Sequence, residues 1–362
     1  MKEDKKDDNS EKRSRKRKIL ISSIALITGV SATVVGSSLI AYNSLFSRYE
    51  HPDYAVTAGN YYYERVRSRL YREEFYFPSD KELLKGYYYP SDDSKGLVVV
   101  AHGFHAGADD FIPIIEYLVK NKFSVFTYDL TGTYDSKGDG TVGWCQSLVD
   151  IDYALRYVSS NAPYNLQPCF LLGHSWGGYA VTSVLAIHKN IKACAGIAPM
   201  NDGSTIMVEK GCQYVGNFAK LPKPVIDLYQ KKTFGNYVRY NGVKGINSTS
   251  IPVLIAQGVE DKVITYDKQS VIAHRGEITN PNVVYYETTG LQGGHESILN
   301  SVNALIYQSE VNGKLLKLKS DLGRKLTYEE QVKFYKTVNH DLYSEVNYEL
   351  MDKIIETFNS VL

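Results

Sequence analysis

The chain has 362 residues, of which 43% are hydrophobic and 22% are charged, and its formal net charge is +1. This composition is typical of a globular protein with a buried core, and the length suffices for one large domain with appendages. The near-neutral charge gives no reason to expect a nucleic acid as partner.

The N-terminal region combines a charged tail with a long apolar segment. Residues 1–18 are almost all charged or polar and end in a basic run, whereas residues 19–47 carry no charge. As a helix, residues 19–42 would span about 36 Å, enough to cross a hydrocarbon core of about 30 Å. A cleaved signal peptide is the alternative, but its apolar region is usually only about 7–15 residues long and a small-x-small site follows it. We therefore expect an uncleaved single-pass membrane anchor, with a cytoplasmic N-terminus and an extracellular remainder.

Beyond a polar connector, residues 43–71, with a short helix expected at Val56–Leu70, the pattern alternates between strands and helices. Such alternation predicts an α/β fold over residues 72–362, with helices on both faces of a mostly parallel eight-stranded sheet. The first two strands are expected to form an antiparallel hairpin. The strands are predicted at 73–77, 84–89, 96–101, 124–129, 168–172, 191–197, 251–257 and 282–287, and the helices at 111–119, 148–158, 178–187, 267–274 and from 298 to 362.

The alternation is interrupted after the sixth strand. Residues 201–250 contain no clear strand, and mix Gly, Lys, Tyr and apolar residues. Because a structureless loop of this length is uncommon in a compact domain, we expect an inserted subdomain.

The chain contains four cysteines, Cys145, Cys169, Cys194 and Cys212. Their spacing fits no zinc or redox motif. An exported chain could form disulfides, but the spacing does not require one, so we expect buried thiols and no cofactor.

The clearest chemical signal is the pattern Gly173-His174-Ser175-Trp176-Gly177, a G-x-S-x-G sequence. In a tight turn between a strand and a helix, this pattern exposes the serine in a strained backbone conformation, and the flanking glycines avoid clashes with neighbouring backbone. A predicted strand precedes the pattern and a predicted helix follows it. Ser175 is therefore the candidate nucleophile.

A serine hydroxyl needs a base, and the base needs a group that orients it. His295 lies in a Gly-rich loop just after the last predicted strand, where the base is expected. Asp261 follows the preceding strand and is the favoured acid. Asp202, after the strand that ends near residue 198, is the competing acid, and Glu260 is interpreted as a solvated neighbour.

The reaction also needs two backbone N–H groups directed at the developing oxyanion. One is the amide of Trp176, at the N-terminus of the following helix. The other is expected at Phe104, after Gly103, which would allow close approach of the backbone. His102 and His105 suggest a metal pair, but no acidic or Cys ligand lies near them in sequence, so a structural and rim role is favoured and no metal is expected.

Residues 72–299 resemble the α/β-hydrolase superfamily, in particular its serine-aminopeptidase and monoacylglycerol-lipase-like branch. The resemblance lies in His102-Gly103-Phe104, the GHSWGG sequence at 173–178, Gly258-x-x-Asp261-x-x-Ile264 and Gly294-His295. It implies a helical lid after strand six, which matches 201–250, and a structural role for Asp129 in the D-x-x-G…S stretch at 129–136. The chain departs from that branch at Trp176, because Met is the common residue after the serine there.

Ser, His and Asp together support acyl transfer, so we expect a serine hydrolase that acts on carboxylic esters, lipid-like or small, as a lysophospholipase does. Two features favour esters over peptides. The anchor at 19–42 would place the pocket near lipid, and tyrosines of the insertion could form an amphipathic rim, although plain packing would explain them equally well; they are Tyr214, Tyr229, Tyr237 and Tyr240. A peptidase of the same fold and a non-catalytic binding protein remain the alternatives.

Overall fold

The structure, a computed structural model, describes residues 36–206 and 223–362. The expected anchor at 19–42 therefore lies largely outside the described residues. Within the described ranges, no helix is both long enough and apolar enough to cross a membrane.

The described chain begins in a helix, α1, which runs to residue 45. Tyr42 and Phe46, at its end, are buried in the folded domain. Most of the other side chains of this helix are exposed or half-buried. The end of the apolar segment is thus packed against the domain that follows.

An eight-stranded sheet forms the centre of the molecule, in the order β1-β2-β4-β3-β5-β6-β7-β8. Strands β1 and β2 form the expected antiparallel hairpin, β2 is antiparallel to β4, and all other pairs are parallel. The strand bounds are Glu73–Ser79 (β1), Glu82–Tyr89 (β2), Leu97–Ala101 (β3), Ser124–Tyr128 (β4), Cys169–His174 (β5), Ile191–Ile197 (β6), Val253–Gly258 (β7) and Val283–Thr288 (β8). The predicted α/β architecture is confirmed.

Helices cover both faces of the sheet, as predicted. Along β3, Val99 faces one apolar cluster while Val98 and Val100 face the other, because successive strand residues point to opposite sides. The first cluster receives α3 (Gln146–Ser160) and α4 (Trp176–Ser183). The second receives α2 (Ile112–Lys120) and the C-terminal helix, Tyr348–Asn359.

Helices also fill the chain between β6 and β7, where the insertion was expected. In the described part of this segment they are residues 203–206, α5 (Lys223–Phe234), a 3-10 turn at Gly235–Arg239 and α6 (Gly242–Asn247). After β8 the helices are α7 (Val302–Leu322), α8 (Tyr328–Tyr335), α9 (His340–Tyr343) and α10 (Tyr348–Asn359).

Two predicted helices are wrong. The connector forms only 3-10 turns, at Tyr54–Val56 and Tyr63–Arg65. The Arg65 guanidinium donates to the carbonyl oxygens of Tyr54, Thr57 and Gly59 and holds the stretch between the turns in a non-helical path. The helix expected at Asp267–His274 is a 3-10 helix at Val271–Glu277.

That 3-10 helix begins late for a tertiary reason. The Ser270 hydroxyl accepts a hydrogen bond from the Ala273 amide and so caps the start. The amide of Val271 donates to the carbonyl of Pro199, 2.9 Å away in another loop. The sequence near residue 267 contains no sign of this partner.

Asp129 has the structural role that the resemblance implies. It is fully buried at the end of β4 and accepts hydrogen bonds from the Ala108 amide at 2.8 Å and the Tyr87 hydroxyl at 2.9 Å. Burial raises its pKa to about 7. The carboxyl group ties the loop after β3 to the loop after β4.

The described cysteines are free thiols. Cys145 and Cys194 are buried and Cys169 is half-buried, as expected. Burial raises the pKa of the Cys145 and Cys169 thiols to about 12. Cys212 lies outside the described residues.

Candidate active site

Ser175 occupies the turn between β5 and α4 with a positive φ of 56° and a ψ of −114°, a backbone conformation that residues with side chains rarely adopt. Glycine is required on both sides of it. A methyl group at Gly173 would lie 2.3 Å from the carbonyl oxygen of Gly177, and one at Gly177 would lie 2.0 Å from that of Ala101. The G-x-S-x-G sequence therefore forms the strained turn expected of it.

The structure brings Ser175, His295 and Asp261 together. The Ser175 Oγ lies 2.8 Å from His295 Nε2, and His295 Nδ1 lies 2.7 Å from Asp261 Oδ2. A carboxylate only accepts hydrogen bonds, so Nδ1 carries the ring proton and Nε2 is free to accept the serine proton. All three side chains are buried.

Asp261 is held ionised by its hydrogen bonds. Its Oδ1 accepts from the amides of Val263 and Ile264, at 2.7 and 2.8 Å, and Oδ2 accepts from Gln257 Nε2 as well as from His295. Burial alone would raise the pKa of this carboxyl, but the bonds from His295 and the two amides outweigh it and hold the pKa below its usual value.

The competing acid lies elsewhere. Asp202 accepts from the amides of Ser204 and Thr205, two and three residues on, and lines a separate cavity with Trp144 and Cys145. Glu260 is exposed and accepts from the amide of Gly290. Neither carboxylate forms a hydrogen bond with the imidazole of His295, whose Nδ1 is bonded to Asp261.

The loop after β3 lies directly beside the nucleophile. A methyl group at Gly103 would lie 3.5 Å from Ser175 Cβ, an ordinary contact, so close approach does not require glycine here. Among the described residues, neither the Phe104 amide nor the Trp176 amide donates a hydrogen bond within the protein. The prediction that these two N–H groups bind an oxyanion near Ser175 is compatible with this observation and stays a prediction.

His102 and His105 have separate surroundings. His102 Nε2 accepts from the Leu130 amide at 3.0 Å, and Nδ1 donates to the Gly103 carbonyl at 2.8 Å. Burial lowers the pKa of His102 to about 4, so the ring is neutral and fastens the loop to the end of β4. His105 is exposed and lines the mouth of the cavity.

Close to the nucleophile, His174, His295 and Glu296 form the one group of three metal-ligand side chains found among the described residues. Both ring nitrogens of His295 are already engaged by Ser175 and Asp261. The imidazole of His295 is therefore committed to the hydrogen-bond relay.

Ser175 and His295 open into a cavity of about 640 Å³, within the usual size range of small-molecule sites. The connector supplies one wall, with Tyr49, Pro52, Thr57 and Tyr61. The C-terminal region supplies another, with Gln308, Tyr343, Ser344 and Val346. Two of the walls thus come from regions near the two ends of the described chain, and the loops with Phe104 and Val263 line other parts of the cavity.

Of the two interpretations of the insertion's tyrosines, packing rather than an amphipathic rim fits the described ones, none of which lines this cavity. Tyr229 packs edge-on against Tyr42, Tyr237 donates to the Asp152 carboxylate, and Tyr240 lines the separate cavity beside Asp202. Tyr214 lies outside the described residues. The tyrosines at the cavity are Tyr49, Tyr61, Tyr134 and Tyr343.

Two positioning residues had no signal of their own in the sequence analysis. His174 is buried and its Nε2 donates to the backbone carbonyl of His295 at 3.0 Å, which fixes the loop that carries the base. Gln257, on β7, orients Asp261 and also donates to the Ile264 carbonyl. His174 stands inside the G-x-S-x-G sequence, the one place where it could have been noticed.

Comparisons with known families and sequences match part of the chain. A family model described as serine aminopeptidase, S33, matches residues 92–243, which include the serine turn but neither Asp261 nor His295. The YfhR protein of Escherichia coli K12 is 29% identical over 111 residues, which are 29% of this chain and 38% of YfhR. YfhR of Salmonella typhi is 26% identical over 189 residues, 51% of this chain and 62% of that protein. The chain thus matches less than two thirds of these relatives.

Solved structures share the fold. The esterase Pf2001 of Pyrococcus furiosus superposes with a TM-score of 0.52 at 18% identity, covering 76% of this chain and 98% of the esterase. DcsB, solved in complex with a substrate analogue, superposes with a TM-score of 0.54 at 13% identity, covering 81% of this chain and all of DcsB. At such identities the likeness establishes the architecture.

Proposed function

The chain has the α/β-hydrolase fold and resembles the serine aminopeptidase family, and from this premise we propose that it is a serine hydrolase that cleaves carboxylic esters through an acyl-enzyme on Ser175. The observation that carries the proposal is the continuous relay from Ser175 Oγ through both nitrogens of His295 to Asp261, at 2.8 and 2.7 Å.

The reaction follows from this relay. His295 Nε2 takes the proton from Ser175 as Oγ attacks the carbonyl carbon, and the amides of Phe104 and Trp176 donate to the oxygen that becomes negative. Protonated His295 then gives the proton to the leaving alcohol as the acyl-enzyme forms. Water, deprotonated by the same nitrogen, releases the acid and restores the serine.

The nature of the cavity supports a small or lipid-like ester as substrate. Its volume of about 640 Å³ exceeds the needs of an acetyl group, and its walls combine tyrosines with apolar Pro113, Ile114, Val263 and Val346. Such a surface accepts an apolar acyl group beside a polar head. A chain-length series of esters, assayed with and without detergent micelles, would identify the preferred acyl group.

The test of catalysis is covalent labelling by a fluorophosphonate probe. Folded wild-type protein is expected to label and to hydrolyse p-nitrophenyl esters, and Ser175→Ala is expected to do neither. Ser160→Ala, at an exposed serine at the end of α3, is the matched control and should behave as wild type. Absent labelling of folded wild type, or labelling that survives Ser175→Ala, would favour a non-catalytic binding protein.

A peptidase of the same mechanism is the second candidate, because the matching family model is described as serine aminopeptidase. Comparing p-nitrophenyl acyl esters with aminoacyl-p-nitroanilides separates the two activities. A higher kcat/KM for the anilides would replace the esterase proposal with the peptidase.

The proposed location is the outer face of the cell membrane, with residues 19–42 as anchor. It is supported by the length of the uncharged segment and by the basic run before it. Protease treatment of intact cells should remove the catalytic domain and leave the N-terminal tail. A catalytic domain that is protected until the cells are lysed would contradict this orientation.

A further inference from the structure

Phe46, at the end of α1, lies at the centre of an aromatic cluster beneath the active site. Its ring centroid is 5.4 Å from that of Phe104, 5.0 Å from Trp144 and 6.3 Å from Trp176. The rings of Phe104 and Trp176 also touch edge-on, at 5.2 Å. Phe46 is only 2% exposed, so it fills the space between these rings.

Two rings of this cluster belong to the residues whose amides would form the oxyanion hole. The direction of a backbone N–H bond is set by the local backbone conformation. That conformation depends on how the surrounding side chains are packed. Trp176 is held further by its indole N–H, which donates to the Trp144 carbonyl at 2.7 Å. Phe104 has no comparable bond among the described residues, and its half-buried ring rests on Phe46, Trp144 and Trp176.

Phe46 is itself held firmly. Its carbonyl accepts from the Thr141 amide at 2.8 Å, and its ring packs 4.6 Å from that of Tyr42. The Tyr42 hydroxyl accepts from Gln230 on α5. Two residues further on, the Arg48 guanidinium donates to the carbonyls of Ser136 and Gly138, at 2.9 and 3.0 Å. The segment 42–48 is therefore built into the domain on both sides of Phe46.

We infer that Phe46 is a positioning residue of the oxyanion hole, and that segment 42–48, which precedes the region resembling known hydrolases, belongs to the catalytic apparatus. The inference rests on the proposed function, since it assigns the amides of Phe104 and Trp176 to the oxyanion. It also implies that the end of the proposed anchor and the active site form one packed unit.

The decisive variant is Phe46→Ala in the full chain. Removing the Phe46 ring opens a space into which Phe104 can turn. The N–H of Phe104 would then no longer point at the oxyanion. Complete loss of one oxyanion donor lowers kcat by about 10²–10³, so partial misplacement should lower it by about 10- to 100-fold. KM should change by a smaller factor than kcat, because Phe46 does not line the cavity and Phe104 is only one of the many residues that do. Phe46→Leu, which refills part of the space, should recover most of the rate.

A matched control separates positioning from stability. Phe358 on α10 is fully buried on the opposite face of the sheet, packed 5.8 Å from Phe123 and 5.0 Å from Phe170. Phe358→Ala should destabilise the fold as much as Phe46→Ala does. Its kcat per active site, counted by fluorophosphonate titration below the melting temperature, should equal that of wild type.

A second measurement, the affinity for an inhibitor that forms an oxyanion, tests the oxyanion hole directly. A trifluoromethyl ketone adds to the serine and leaves an oxyanion in the hole, so its Ki should rise in Phe46→Ala by the factor by which kcat/KM falls, and should not change in Phe358→Ala. If Phe46→Ala does not fold, the same comparison on Phe46→Leu decides, with a rise of at least about threefold expected.

Two outcomes overturn the inference, and they are distinct. Wild-type esterase activity with unchanged kcat and Ki in the Phe46 variants would show that Phe46 only packs. A wild type that neither labels nor hydrolyses esters would remove the proposed function, and the inference with it.

Discussion

Among single residues, Asp261 shows how geometry selects one of two acids that the sequence leaves open. Asp261 and Asp202 both follow a strand of the sheet, so position along the chain favours Asp261 without excluding Asp202. The hydrogen bonds do: Asp261 holds His295 Nδ1, whereas Asp202 caps its own turn.

Asp261→Asn should lower kcat by about 10³–10⁴ with the fold intact, by analogy with the loss of the triad acid in other enzymes. The amides of Val263 and Ile264 would retain the side-chain oxygen, so the amide nitrogen would face His295. The ring proton would then move to Nε2, which could no longer accept from Ser175.

Asp202→Asn is the matched control, measured with the same ester. Asn caps a helical turn about as well as Asp, so kcat should stay within about twofold of wild type. A larger loss in Asp202→Asn than in Asp261→Asn would reverse the assignment of the acid.

Asp110, in the wall of the cavity, gives a pH dependence of stability. It accepts from the Gly107 amide and the Tyr134 hydroxyl, both at 2.8 Å, yet burial, with Asp109 and Glu296 nearby, raises its pKa to about 6 from 3.8. Between pH 3.8 and pH 6 the Asp110 carboxyl is ionised in the unfolded chain but still protonated in the folded chain. The contribution of this carboxyl to stability is therefore present below pH 3.8 and is lost as the pH rises through 6.

Asp110→Asn cannot ionise and should escape this loss. The free energy of unfolding of Asp110→Asn relative to wild type should therefore increase by about 2–3 kcal/mol between pH 4 and pH 7.5, at about 1.4 kcal/mol per pKa unit. Urea denaturation at the two pH values measures it. A difference that does not vary with pH would contradict the raised pKa.

At the scale of elements, the turn between β5 and α4 is constrained by its neighbours. Gly177→Ala would place a methyl group 2.0 Å from the Ala101 carbonyl oxygen, at the end of β3. That carbonyl immediately precedes the loop with Phe104, so relief of the clash must move the proposed oxyanion hole. We expect a loss of at least about 2 kcal/mol in the free energy of unfolding and a loss of ester hydrolysis.

Gly276→Ala provides the comparison, because no atom lies within 4 Å of the added methyl group at this exposed site. Its free energy of unfolding should stay within about 0.5 kcal/mol of wild type. Equal stabilities of the two variants in urea would show that the turn is not crowded.

The elements that could be predicted from sequence are those whose pattern is local. Strand β3 is a continuous apolar run because both of its faces are covered, and the turn at Ser175 carries its glycines on either side. The 3-10 turns of the connector depend instead on where the Arg65 guanidinium reaches. The 3-10 helix at Val271–Glu277 depends on a carbonyl more than seventy positions earlier, at Pro199.

The residues of the candidate site likewise include some that the sequence predicts and some that it does not. Ser175, His295 and Asp261 could be found because each follows a strand, and parallel strands bring their carboxyl ends to one edge of the sheet. The cavity walls could not be found, because thirty tyrosines in the chain give no local sign of which ones face Ser175. The position of Phe46 beside the active site could not be predicted either, because its sequence context is that of the end of an apolar segment.

In the molecule as a whole, both ends of the described chain close around the cavity. The connector and the C-terminal helices are joined by hydrogen bonds from the Asn60 amide to the Ser344 hydroxyl and from His340 Nδ1 to the Ala58 carbonyl. The two walls therefore support each other, and loss of segment 42–48 should weaken both the fold and the site.

A shortened chain that begins at residue 36 should keep the melting temperature and kcat of the full chain toward a water-soluble ester, because it retains the contacts that Tyr42, Phe46 and Arg48 make with the described residues. A chain that begins at residue 49 loses two buried aromatic rings, at about 1.5–3 kcal/mol each. Its melting temperature should fall by at least about 6 °C, at roughly 2 °C per kcal/mol. Thermal unfolding followed by circular dichroism, with ester hydrolysis well below the transition, measures both effects. Equal values for the two shortened chains would mean that the folded domain starts at residue 49 and that α1 serves only as a link.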